Sequence, residues 1–210
     1  MNRFIFVHIP KCGGTTIRKN LTGIYQDRLC YDKSYKKFSK LGYNKFTVVT
    51  DGPILKDLRD NKYDVIVGHF TVHKWMYLRW PFLTMVRDPV ERVISQYSAM
   101  NLWMPGSKAK KMKRKWGEIK DFALNTRNQL SVMVGKDLDL FSFIGVYEMY
   151  ERSIGRMEEI LQIRFSVTMG THNKTKRKEK VSKADRAYIE SVNREDRELY
   201  KEVVRRFISK

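Results

Sequence analysis

Apolar residues come along this chain in short dense runs closed by proline, glycine or charge. Phe4 to Val7 ends at Pro10, and Tyr63 to Gly68 ends at His69. Phe82 to Val86 ends at Arg87-Asp88-Pro89, and Leu140 to Tyr147 ends at Glu148. Runs of about four to eight residues bounded this way predict buried strands. Lys45 to Thr50 predicts one more, broken by Asp51-Gly52-Pro53. Helical spacing fills the intervals. A helix is expected to about Ile24, with Thr15 or Thr16 as its N-cap. A short one is expected from Ile54 to Asp60, and another from Pro89 to about Asn101. Ile119 to Val134 reads as helix stopped by Gly135. Glu148 to Leu161 reads as an amphipathic helix with Met149, Ile154, Met157, Ile160 and Leu161 apolar. One or two charged helices follow between Ser182 and Lys210, with Tyr188, Ile189, Leu199, Val203, Val204 and Phe207 inward. Tyr25 to Asn44 reads as irregular, and Arg164 to Val167 as a short extended piece.

Strands alternating with helices predict an α/β fold with a mainly parallel sheet covered on both faces. The 210 residues suit one domain over 1–210. Ligands of such sheets bind beyond the carboxyl ends of the strands. Gly13-Gly14, His69 and Arg87 fall at those ends.

Composition adds a polyanion partner to this picture. The net charge is +19 and the pI about 9.9. Such a field attracts nucleic acid, anionic lipid or acidic polysaccharide without choosing among them. Two basic runs, Lys108 to Lys115 and Lys174 to Lys180, are solvated segments or docking strips for an anionic acceptor. They lack interleaved aromatics, and no helix-turn-helix or zinc pattern appears, so no specific nucleic-acid partner is expected. Cys12 and Cys30 form neither a metal-ligand pattern nor a disulfide framework. No secretory leader and no bilayer-spanning stretch is visible. A cytoplasmic protein is expected, with at most peripheral contact with anionic surfaces.

The candidate chemistry begins at His8-Ile9-Pro10-Lys11-Cys12-Gly13-Gly14-Thr15-Thr16. Adjacent glycines admit close backbone approach. A helix start offers free N–H groups, and Lys11 adds a full charge. This is a phosphate or sulfate cradle. The nucleotide-triphosphate loop G-x-x-x-x-G-K-[ST] is absent, because here the lysine precedes the glycines. A second string, Thr84-Met85-Val86-Arg87-Asp88-Pro89-Val90-Glu91-Arg92-Val93-Ile94-Ser95-Gln96-Tyr97, sets a guanidinium at a strand end and a hydroxyl on the next helix.

The first string resembles the 5′-phosphosulfate loop of sulfotransferases that use 3′-phosphoadenosine 5′-phosphosulfate (PAPS). It is most similar to the carbohydrate branch that includes the heparan sulfate 2-O- and 6-O-sulfotransferases. The second resembles that family's 3′-phosphate segment, and FSFIGVYEMYERSIGRMEEIL is also typical. The resemblance covers most of the chain and is patchy over 25–44 and 104–115. It implies a P-loop-NTPase-like three-layer sulfotransferase fold. It also implies PAPS as donor, 3′-phosphoadenosine 5′-phosphate (PAP) as product, and no required metal. Cofactor contacts would come from Lys11, Cys12, Gly13, Gly14, Thr15, Thr16, Arg87 and Ser95. Asn173, Thr175 and Lys176 match the family's late N-x-T-[RK] loop. Val67-Gly68-His69-Phe70 resembles the segment carrying the catalytic base in the 2-O branch. His69 is therefore the expected general base of an in-line displacement, with His73 as the alternate if the segment is helical. Lys11 would stabilise the leaving phosphate.

Asp88 is expected to orient the turn or cap the helix, and Arg92 to contact ligand or pair with an acid. His8 reads as structural. Asn125-Thr126-Arg127-Asn128-Gln129 resembles a polar helix segment near cofactor or acceptor, or else is an exposed helix face. The acceptor would be a carbohydrate hydroxyl, on an acidic chain if the charge is a guide. The resembled animal enzymes sit in the Golgi behind a membrane anchor, and the departure here points to a bacterial or similarly soluble enzyme. A small nucleotide-dependent kinase, a basic nucleic-acid-binding protein and an inactive sulfotransferase homologue are the competing readings.

Overall fold

The computed structural model describes residues 3–32, 60–103, 117–166 and 181–209. The strand expected over 45–50, nearly all of the helix expected over 54–60 and both basic runs lie outside the described residues. So do Val167 and Asn173, Thr175 and Lys176.

Five strands form one sheet: β1 Phe4–Val7, β2 Leu29–Asp32, β3 Val65–Gly68, β4 Phe82–Val86 and β5 Phe141–Val146. Their order is β2-β3-β1-β4-β5 and every pairing is parallel. β1, β3 and β4 are buried at every position. That explains their unbroken apolar sequences, since a parallel sheet is covered on both faces. The helices are α1 Gly14–Tyr25, α2 Pro89–Trp103, α3 Ile119–Asn125, α4 Gln129–Val134, α5 Tyr150–Leu161, α6 Lys183–Val192 and α7 Arg194–Ile208. α1 packs on β2, while α5 and α7 pack on β5. The main core gathers around the sheet. A smaller one joins α2, α3 and α6 through Val93, Tyr97, Phe122 and Ile189. No helix among the described residues is long and apolar enough to cross a membrane.

Three expectations change. First, Leu29–Asp32 is an edge strand inside the stretch read as irregular. Its acidic end is compatible with burial because Lys74 Nζ donates to Asp32 Oδ2 at 2.7 Å and Trp75 Nε1 donates to the same oxygen at 3.1 Å. Second, the expected helix over 119–134 is two helices, broken where Asn128 takes φ 55°. Asp196 of α7 holds the second piece by accepting from the Leu130 and Ser131 N–H groups at 3.0 and 2.8 Å. Third, the amphipathic helix begins at Tyr150, after a 3-10 turn over Tyr147–Met149. Residues 164–166 belong to no strand of the sheet.

Arg92 resolves as the partner of an acid. Its side chain is fully buried, 3.7 Å from Asp196, and donates to Gln96 at 2.9 Å and Gln129 at 2.5 Å. Asp88 caps α2 by accepting from the Glu91 N–H at 3.0 Å, and Arg197 donates to its other oxygen at 2.9 Å. Asp196→Ala removes a buried counter-charge and uncaps α4 together. Breaking a buried pair from one side costs about 3–5 kcal/mol, so urea unfolding should show a loss of that order. A loss under about 1 kcal/mol would contradict the network's role.

Candidate functional site

The chain leaves β1 toward β2 on one side of the sheet, and later crosses from β3 to β4 on the other. The crevice between the carboxyl ends of β1 and β4 is therefore the topological switch point, where open α/β sheets bind ligands. Lys11 follows β1 and Arg87 follows β4. The structure brings them together: Arg87 Nη1 donates to the Lys11 carbonyl oxygen at 3.2 Å.

The turn between β1 and α1 is built on left-handed backbone. Lys11 has φ 68° and Gly13 φ 81°. Gly13 is the N-cap of α1 and has no side chain to offer its first turn. This corrects the expectation of a threonine cap, since Thr15 and Thr16 lie inside the helix. The N–H groups of that first turn thus keep their capacity for an outside acceptor, reinforced by the helix dipole. The glycines are also needed for space. A Cβ on Gly13 would lie 2.9 Å from the Tyr150 ring and 3.0 Å from the Tyr147 ring. One on Gly14 would overlap the His8 ring.

The cations are arranged for an anion. Arg87 is buried, its guanidinium 4.3 Å from the Tyr147 ring centroid. Glu91 approaches only to 3.9 Å, and the buried Nε of Arg87 has no hydrogen-bond partner among the described residues. Burial, then the nearby Arg87 charge, lowers the Lys11 pKa. Two cations held this close gain by an anion between them. Cys12 is fully buried and burial pushes its thiol up to about 12, so it contributes backbone and packing only. Ser95 is buried on α2 and is not hydrogen-bonded to Arg87. These features fit a group carrying phosphate or sulfate oxygens.

His69 follows β3 on the same edge of the sheet. Its Nδ1 lies 2.5 Å from the His8 carbonyl oxygen. A carbonyl only accepts, so Nδ1 carries the proton and Nε2 is the basic nitrogen. The His8 ring stacks on the His69 ring at 4.3 Å between centroids. His8 is thus part of the site, through both its ring and its backbone. The sequence reading made His8 structural, and the contacts it makes are a ring stack and a backbone hydrogen bond. Tyr147 and Tyr150 were missed; their spacing after the β5 end was the available clue. His73 does not share a helical face with His69. Residues 69–71 are not helical, and His73 sits exposed on a separate 3-10 turn, Val72–Lys74, with its ring toward Gly135.

Burial, the His69 ring and Arg18 hold His8 well below the ordinary histidine range. Burial lowers His69 too; the bond to the His8 carbonyl works against this, and the Arg18 charge works with it.

A family model of the sulfotransferase family matches residues 1–207, and the chain belongs to that family. No curated protein matches the sequence. Among solved structures, mouse sulfotransferase SULT7A1 complexed with PAP aligns at TM-score 0.39 and 15% identity over 91% of this chain and 64% of that one. This chain thus spans less than two thirds of the mouse protein's length. Retinol dehydratase in complex with androsterone and inactive cofactor PAP aligns at TM-score 0.26 and 12% identity, over 98% and 80% of the two chains.

Both rings are neutral at pH 7. Unfolded histidines titrate near 6.5. The stability tied to neutral burial is full above that value and is lost as pH falls through it toward the lowered folded values. Unfolding free energy should fall between pH 7 and 5, by up to roughly 1.4 kcal/mol per pH unit for each histidine. His8→Phe should shallow the slope measured by urea titration; an unchanged slope would contradict neutral burial of His8.

Proposed function

We propose that the chain transfers a sulfuryl group from PAPS to a carbohydrate hydroxyl. One observation carries this reading: the uncapped start of α1 faces a crevice where Lys11 and Arg87 converge. The arrangement accepts oxyanions at two ends. The loop Lys11, Cys12, Gly13, Gly14, Thr15 and Thr16 would hold the 5′-phosphosulfate by backbone N–H groups and the lysine. Arg87 would grip the 3′-phosphate bidentately, its unpartnered Nε among the donors. Ser95 is assigned to the same phosphate on family resemblance, as are Asn173, Thr175 and Lys176. PAPS would supply an activated sulfuryl group.

The chain's own residues then have defined tasks. His69 Nε2 accepts the proton of the acceptor hydroxyl, the role its tautomer leaves open. His8 orients it: the ring stack sets the imidazole plane, and the carbonyl holds the proton on Nδ1. Lys11 stabilises negative charge as it grows on the departing phosphate. An acidic acceptor suits the +19 charge.

Calorimetric titration with PAP, beside ATP with Mg²⁺, tests the donor site. PAP should bind more tightly, and Arg87→Ala should weaken it by about 10- to 100-fold, as expected for loss of charge-assisted hydrogen bonds. Preference for Mg-ATP would move the chain to a kinase reading. His69→Gln should lower kcat by about 10²- to 10⁴-fold while leaving PAP affinity unchanged. Full turnover by that variant would remove His69 from the base role. Lys11→Ala should lower kcat more than it weakens acceptor binding.

A further inference from the structure

The opposite edge of the sheet carries a second gathering of charge that the transfer chemistry does not use. Arg3 precedes β1, Arg28 precedes β2, Asp64 precedes β3, and Arg79 and Trp80 precede β4. With Tyr25 they line an open cleft of about 670 Å³. Segments far apart in sequence meet there because parallel strands all start at one edge. Lys11, His69 and Arg87 lie beyond the other edge, a strand length of roughly 13 Å away.

The charges of the cleft do not cancel. Among the described residues that line it, Asp64 is the one carboxylate, against three guanidiniums. Arg28 takes both of its oxygens, at 2.5 and 2.6 Å, and Arg3 comes only to 3.8 Å. Arg3 donates to Asn61 at 2.8 Å and lies 5.4 Å from the Trp80 ring centroid. Arg79 is exposed; its backbone N–H donates to the Met76 carbonyl at 3.2 Å, and its guanidinium has no hydrogen-bond or ion-pair partner among the described residues. Its backbone is left-handed, φ 54°, a conformation that non-glycine residues seldom take. A net-cationic cleft with two aromatic residues suits anionic groups carried on a ring. Guanidinium forks match sulfate and carboxylate, and aromatic faces pack on sugar rings.

We propose that this cleft is a second binding site, for sulfated or carboxylated sugar units of an acidic oligosaccharide. It is separate from the transfer site and stands whichever donor that site uses. A chain held here would remain tethered while another part of it visits the far edge of the sheet. Nucleic acid offers oxyanions too, but a single strand calls for a row of stacking aromatic faces, and the cleft has two aromatic residues, one of them beside Arg3.

The test is calorimetry with sucrose octasulfate on the full chain in excess PAP, at fixed moderate salt. Arg79→Glu is compared with Arg194→Glu, the same charge change at an exposed arginine at the start of α7. Arg79→Glu should weaken the sugar about tenfold or more, Arg194→Glu less than about twofold, and neither should alter PAP affinity. Equal weakening by both would reduce the effect to net charge and overturn the site. So would tighter binding of a single-stranded oligonucleotide with the same dependence on Arg79. Failure of PAP to bind would count against the donor reading alone, since the sugar titration can be repeated without it.

Discussion

Everything at the proposed transfer site depends on one backbone turn. The chain must pass from a fully buried strand to a half-buried helix between Val7 and Gly14 without using up the N–H groups of that helix. Left-handed conformations at Lys11 and Gly13 make the passage. Had a threonine side chain capped α1, its hydroxyl would compete with any incoming oxyanion for the same donors. Leaving the cap to glycine costs the helix some intrinsic stability, which packing of Ile17 and Leu21 into the core offsets. The turn also decides what stands around it, since only the bare Cα atoms of Gly13 and Gly14 let Tyr147, Tyr150 and His8 close in.

Electrostatics ties the crevice together in a second way. Lys11 and Arg87 repel, and Arg87 is held in place by a carbonyl oxygen and the face of Tyr147, with the Glu91 carboxylate 3.9 Å away. Arg92, only five residues along, instead has Asp196 at 3.7 Å and donates to two glutamines from one nitrogen, while its Nε and Nη2 make no hydrogen bond among the described residues. The same residue type thus joins the core at one position and, in the proposed reading, serves an oxyanion at the other. The difference lies in place: Arg92 is fully enclosed beside the fully buried Asp196, whereas Arg87 stands at the strand end beside Lys11.

Much of this was legible in the chain. β1, β3 and β4 announce themselves because strands buried on both faces must be apolar throughout, and β5 because its apolar run carries only one exposed position, Ser142. Lys11, Gly13, Gly14, His69 and Arg87 follow those runs directly, so placing the strands placed them as well. What stayed hidden depends on distant partners. Leu29–Asp32 contains an acid that only Lys74 and Trp75 make tolerable. The break at Asn128 is stabilised from α7, where Asn193 accepts from the Asn128 N–H and Asp196 takes up the next turn. The His8–His69 stack joins the ends of two strands whose pairing the sequence does not spell out. Asp88 was readable as a cap, because its partner is three residues away.

The strand order carries a consequence for how the molecule comes into being. β1 is the central strand, and its neighbours are β3 and β4: Phe4 pairs with Val65, and Ile5 with Phe82. Neither flank exists until about 60 further residues have been made. The turn of the proposed oxyanion site hangs from that strand, so it is synthesised before both neighbours and acquires its walls only after them. Its formation is governed by closure of long loops, the slow component of folding in sheets of non-local pairing. A nascent chain would therefore carry the loop sequence well before it could bind a nucleotide with it, and ligand could select the finished sheet without templating its assembly.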